Sequence, residues 1–164
     1  MTEDTYKRIV LFFRRNSQRR HILIMANKLL TSLVYCLYPG LLLLLIYKED
    51  TRFWKVFFVP GIAFLVVSFF RSQVNALRPY EMWDINPVLD KNTGGKSFPS
   101  RHVFSVFVIA MAFYYINFLM GIGIIIIGVL IAAVRVIGGV HFPKDVIAGA
   151  VIGFLSGMIG FYIL

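Results

Sequence analysis

The chain has 164 residues, a length that suits a single domain. Of these residues 59% are apolar, against roughly 45–50% in soluble domains, so a water-facing globule of this size has too little interior to hide them. Lys and Arg number 17 against 8 Asp and Glu, a net charge of +9 that fits anionic headgroups or phosphate; nucleic acid is disfavoured, because the aromatics lie within apolar runs rather than among the basic residues.

Residues 1–28 are strongly basic. Tyr6, Ile9, Val10 and Phe13 recur at helical spacing, with Arg8, Arg15 and Arg19 on the opposite side. That pattern predicts an amphipathic helix in the membrane interface, the alternative being a solvated basic tail. The segment lacks the short apolar stretch and small-residue cleavage site of a secretory signal peptide, so none is expected. Cys36 is the one cysteine, which leaves no intrachain disulfide to form.

Five apolar segments follow, at residues 29–47, 53–70, 103–118, 120–137 and 146–164. The first two are about long enough to cross a hydrocarbon layer of ~30 Å, with Pro39 and Pro60 as expected kinks. The third and fourth are joined by almost nothing around Asn117 and Gly121, which predicts a tight antiparallel hairpin. In the fifth, Gly149, Gly153 and Gly157 form a stripe against which another helix backbone can pack, unless they merely reflect the abundance of small residues in membrane helices. The predicted fold is all-α, a polytopic membrane helix bundle of about five transmembrane helices preceded by an amphipathic interfacial helix. The predicted division is an interfacial segment at 1–28 and a membrane-embedded unit at 29–164.

Crossing parity puts the long polar loop 71–101 and the short turn 138–145 on the same side of the membrane. Arg71 and Arg78 are seven residues apart, so they share a face if the second span continues as a helix. Two forked guanidiniums there suit a phosphate, although basic residues flank most spans. Pro99 and Ser100 are helix-start residues, and His102 falls in the first turn of the third span, placed to donate a proton to a leaving oxygen. The helix start also offers unpaired N–H groups to an anion. Between the last two spans, Gly138 and Gly139 permit a sharp turn after Arg135. His141 and Asp145 are spaced i and i+4, so in a regular turn the aspartate orients the imidazole as a nucleophile. Each segment alone has a bland reading as interfacial anchor or cap. Together they bring three arginines, two histidines and an aspartate to one membrane face.

These stretches resemble the type 2 phosphatidic acid phosphatase family, whose catalytic core is in turn similar to vanadium haloperoxidases. The family pattern is Lys-x6-Arg-Pro, Pro-Ser-Gly-His and Ser-Arg-x5-His-x3-Asp. The chain has Arg71-x6-Arg78-Pro79, Pro99-Ser100-Arg101-His102 and Val134-Arg135-x5-His141-x3-Asp145. The spacing matches throughout, and three positions depart from the pattern. Arg71 keeps the charge of the lysine; Val134 loses a hydroxyl contact; Arg101 puts a large cation where the family has glycine, to bind a second phosphate or to point into headgroups. The chain also has one span fewer than the usual six.

The resemblance implies that His141 attacks phosphorus, Asp145 orients it, and His102 protonates the departing oxygen. It implies that Arg71, Arg78, Ser100 and Arg135 hold the phosphoryl oxygens, with Arg101 beside them. No cofactor or metal is required, and no acidic cluster to hold one is visible in the sequence. The expected substrate is a lipid phosphate: a polyprenyl diphosphate such as the undecaprenyl carrier, phosphatidylglycerophosphate or phosphatidic acid. Tyr80, Met82 and Trp83 are candidates for its entrance or plain interfacial anchors. The expected setting is the cell membrane with an extracytoplasmic catalytic face, although the positive-inside rule puts that face in the cytoplasm. Rival readings are a non-catalytic protein that holds anionic lipid, and a transporter, which the lack of deep charges disfavours. Haloperoxidase activity is disfavoured because those relatives are soluble.

Overall fold

The computed structural model describes residues 2–89 and 94–164. Among these residues, seven α-helices run in chain order: α1 (Glu3–Arg15), α2 (Ser17–Tyr47), α3 (Phe53–Val74), α4 (Pro79–Met82), α5 (Arg101–Ile116), α6 (Phe118–Ile137) and α7 (Pro143–Met158). A π-helical turn, Ile159–Ile163, closes the chain.

Local chemistry sets the boundaries. Glu3 and Asp4 in the first turn of α1, with Arg14 and Arg15 in its last, complement the helix dipole. Asn16 breaks the helix in extended backbone, and its side chain accepts the Arg19 N–H at 3.1 Å to start α2. Hydropathy places the first span at residue 29, but α2 runs unbroken from Ser17. The polar residues before 29 are compatible with helix, and no backbone break coincides with the expected 28/29 boundary. Between α2 and α3, Asp50 receives the Arg52 guanidinium and backbone N–H, which pulls its carboxyl down to about 2. Asn117 is the whole connection between α5 and α6, and its side chain caps α6 by accepting the Met120 N–H at 3.1 Å.

Among the described residues, four helical stretches are long and apolar enough to cross a membrane: Ser17–Tyr47, Phe53–Met82, Phe118–Ile137 and Pro143–Ile163. The third expected span, α5, has only 16 residues and is the central helix of the bundle. Val103, Phe104, Ala110, Met111 and Phe113 on it are buried. On the outside, Leu43, Leu65, Phe69 and Leu119 are each at least 66% exposed, an apolar belt suited to hydrocarbon rather than water.

The glycine stripe on α7 is the surface that receives α5. A Cβ built at Gly149 would lie 2.7 Å from the Ser100 carbonyl oxygen, and one at Gly153 2.5 Å from that of Phe104. The two backbones touch where side chains would normally separate them. One further bond fixes the register at the top of this pair: the Ser100 N–H donates to the Asp145 carbonyl at 2.8 Å. The starts of α5 and α7, which carry two of the sequence motifs, are thereby tied together.

Candidate active site

Helix α3 ends at Val74, where Asn75 takes a left-handed conformation (φ 41°) and donates its N–H to the Arg71 carbonyl at 3.1 Å. Arg71 and Arg78 therefore do not share a continuous helical face, as the seven-residue spacing suggested. Arg78 instead begins α4 in extended backbone, with Pro79 in the first helical position. Glu81 folds back to accept the Arg78 N–H at 2.8 Å, and the same carboxylate accepts the Gly95 N–H at 2.8 Å. This carboxylate joins α4 to the far limb of the long loop, so Arg78 returns to Arg71 by a turn.

Both guanidiniums are buried and both hold the loop by its carbonyls. Arg71 donates to the carbonyls of Pro99 and Lys96. Arg78 donates through Nε to Gly95 at 2.9 Å and through Nη1 to Val140 at 3.3 Å. A guanidinium has five N–H donors, so each retains donors for an anion.

The second expectation of a regular face also changes. His141 lies outside α7, one residue before the N-cap Phe142, and Asp145 is the third helical residue. Pro143 in the first turn forces this break. Asp145 Oδ2 accepts from the Phe142 N–H at 3.0 Å and from the Ser97 hydroxyl at 2.5 Å, and lies 3.7 Å from His141 Nδ1. Ser97 Oγ is also 3.4 Å from that nitrogen. His141, Asp145 and Ser97 are each 1% exposed. The aspartate is thus held by two donors as well as by the imidazole, an arrangement that fixes ring orientation and favours a proton on Nδ1.

A cavity of about 640 Å³ is lined by Ser68, Arg71, Arg78, Gly94, Gly95, Lys96, Arg101, His102 and His141. Five of the eight site residues expected from sequence meet there: Arg71, Arg78, Arg101, His102 and His141. Asp145 stands behind His141. Ser100 and Arg135 are buried but do not line it; the Ser100 hydroxyl and Arg135 Nε have no hydrogen-bond partner among the described residues. Arg135 sits in the last turn of α6, behind the turn that carries His141.

Arg101 is exposed and its guanidinium lies 5.6 Å from the Phe64 ring centroid on α3. Neither Arg101 nor Lys96 forms an ion pair among the described residues. Among the described residues, four cationic side chains face one cavity, while two nearby carboxylates, Asp145 and Glu81, are engaged by donors of the protein itself. Beside the cavity, Tyr35, Phe57, Phe64, Leu65 and Ile109 contribute to an apolar groove of about 730 Å³ between α2, α3 and α5. Phe64 is common to the groove and to the Arg101 contact.

The sequence motifs did not mark Ser97, Lys96, Ser68 or Glu81. A glutamate three residues after Arg78-Pro79 is a readable capping signal. Ser97 and Lys96 lie just before the Pro99-Ser100 motif without a pattern of their own. Ser68 is one turn before Arg71 on α3, inside an apolar run that disguises it.

Residues 52–164 match the family model described as the PAP2 superfamily. Among solved structures, the chain is similar to Aquifex aeolicus LpxE at 24% identity and a TM-score of 0.74, covering 96% of this chain and 92% of that one. It is also similar to a transmembrane PAP2-type phosphatidylglycerolphosphate phosphatase from Bacillus subtilis, at 22% identity and a TM-score of 0.74, over 96% of this chain and 81% of that one. No curated protein sequence matches the chain at a significant level.

Proposed function

The chain belongs to the PAP2 superfamily, and from that premise we propose that it is a membrane lipid phosphatase working through a phosphohistidine intermediate. The observation that carries this reading is the single cavity in which His102 and His141 meet four cationic side chains, with Asp145 backing His141.

In the proposed reaction the lipid phosphate enters among Arg71, Arg78, Lys96 and Arg101. Asp145 and Ser97 hold the Nδ1 side of His141, which leaves Nε2 to attack. A nitrogen–phosphorus bond forms as the phosphorus–oxygen bond to the lipid breaks, and His102 gives its proton to the departing oxygen. His102, now neutral, takes a proton from water as that water attacks the phosphohistidine. The nitrogen–phosphorus bond breaks, inorganic phosphate leaves, and both histidines return to their starting state. The guanidiniums neutralise charge that builds on the phosphoryl oxygens. Arg135 and Ser100, which lie behind the cavity wall, support the phosphate-binding turns or reach the anion once it is bound. No metal takes part in this scheme.

The substrate is an amphiphile, with its headgroup in the cationic cavity and its tail along the adjoining apolar groove. The Bacillus structure is named for phosphatidylglycerolphosphate, a phosphomonoester on a lipid headgroup; the same chemistry serves phosphatidic acid. Arg101 and Lys96, which pair with no carboxylate among the described residues, favour a diphosphate such as a polyprenyl diphosphate, whose second phosphate would give them an anion. The protein resides in the cell membrane with this cavity on the extracytoplasmic face.

Phosphate release from lipid in vesicles, with and without a chelator, tests the reading. Wild type should release phosphate equally in both and be inhibited by vanadate. His141→Ala should lose activity by at least a thousandfold while keeping its thermal transition. Near-normal turnover by that variant would exclude the nucleophile assignment. Arg101→Gly separates the substrates: diphosphate hydrolysis should fall about tenfold or more relative to monophosphate hydrolysis. An equal effect on both would remove Arg101 from headgroup selection.

A further inference from the structure

Tyr6 lies 135 residues from His141 in sequence, yet its hydroxyl donates to the His141 carbonyl at 3.1 Å. The side chain is 1% exposed. Its ring meets Trp83 edge-on, with centroids 5.3 Å apart, and lies 6.0 Å from Phe142; Trp83 and Phe142 are themselves 4.9 Å apart. One helical turn further along α1, buried Val10 reaches the Gly139 end of the same turn. Helix α1 therefore grips the 139–142 turn at both ends.

The backbone of His141 is held from two directions. The carbonyl before it, on Val140, accepts from Arg78, and its own carbonyl accepts from Tyr6. Gly139 in that turn has φ of 84°, and a residue without a Cβ adds little stiffness of its own. An imidazole that must meet phosphorus in line depends on such external bracing, since a displacement near 1 Å can cost about a hundredfold in rate. Helix α1 lies outside residues 52–164, the segment that matches the family model.

We propose that Tyr6 is a positioning residue of the reaction: from the N-terminal helix, its hydrogen bond to the His141 carbonyl and its seat on Trp83 and Phe142 set where the His141 imidazole stands. The role rests on the phosphatase reading for its chemistry, and it makes α1 part of the working site rather than only a membrane anchor.

Tyr6→Phe in the full-length protein in vesicles keeps the ring and removes the hydrogen bond. The expected result is a kcat lowered about tenfold with KM within twofold. Inhibition by vanadate, which mimics the five-coordinate phosphorus, should weaken by a similar factor, while inhibition by phosphate stays unchanged. The chain has three histidines, so ring NMR signals provide a readout that needs no activity. The His141 signals should shift in Tyr6→Phe while those of His21 stay fixed. An unchanged kcat, a loss confined to KM, or unmoved His141 signals would overturn the role. Wild-type protein that releases no phosphate from any lipid would count against the phosphatase reading instead, and the His141 signals would then decide for or against Tyr6.

Discussion

Ser97 is the residue on which the His141–Asp145 pair leans most directly. Its hydroxyl donates to Asp145 at 2.5 Å and lies 3.4 Å from His141 Nδ1. Hydrogen bonds to a charged group are each worth about 1.5–3 kcal/mol, and about 1.4 kcal/mol is tenfold in rate. Ser97→Ala should therefore lower kcat on the order of tenfold to a hundredfold with little change in KM, as steady-state rates will show. Tyr6 carries a pH signature. Burial, and secondly the charge of Asp145, push its phenol above the ordinary value near ~10. The stability it contributes is fully present below about pH 10 and is lost as pH rises through the raised folded value. Wild type should thus lose thermal stability above pH 10 more steeply than Tyr6→Phe. Equal alkaline slopes would remove this contribution. The histidines and arginines of the site were legible because each sits in a short local pattern, in all but Arg71 with a Pro or Gly within three residues. Ser97 and Tyr6 were not, because their partners are 48 and 135 residues away and nothing local distinguishes them.

At the scale of elements, hydropathy marked where helices meet lipid and misplaced where they begin and end. Helix α2 starts at Ser17 because Asn16 caps it, well before its apolar run opens. Helix α3 stops at Val74 because Asn75 turns left-handed, so a spacing argument that carried the helix about one turn further, to Arg78, could not hold. The α7 glycine stripe was legible as spacing, and the structure supplies the partner that sequence left open. That contact makes a sharp prediction. Gly153→Val drives a side chain into the Phe104 carbonyl on α5, an overpacking that typically costs about 1–3 kcal/mol and sometimes more. Gly123→Val meets nothing within 4 Å and faces outward. Thermal unfolding in one detergent should show a clear drop for the first variant and almost none for the second. Equal transitions would mean that α5 and α7 do not touch there.

For the whole molecule, the open issue raised by sequence is the side on which the cavity lies. The basic N-terminus argues for the cytoplasm by the positive-inside rule. Two of those cations also have partners within the protein, however. Arg14 donates to the Asn86 side-chain oxygen at 2.6 Å once that amide is oriented to accept, and Arg19 stacks over Phe12 at 3.9 Å. They weigh less as topological signals than their number suggests, and the extracytoplasmic placement is expected to hold. In a Cys36→Ser background, Met82→Cys should react with an impermeant maleimide in intact cells, while Glu49→Cys, across the membrane, should react only after lysis. The reverse pattern would put catalysis in the cytoplasm.

The brevity of α5 has a consequence for how a lipid meets the catalyst. Its 16 residues rise about 24 Å, whereas the 20 residues of α6 rise about 30 Å, and the end of α5 is level with the start of α6 because Asn117 alone separates them. The floor at Arg101 and His102 therefore stops about 6 Å short of the height reached by its neighbour. A phosphate at the water line can sink into that well while its chains remain immersed, so hydrolysis needs no extraction of the lipid from its leaflet.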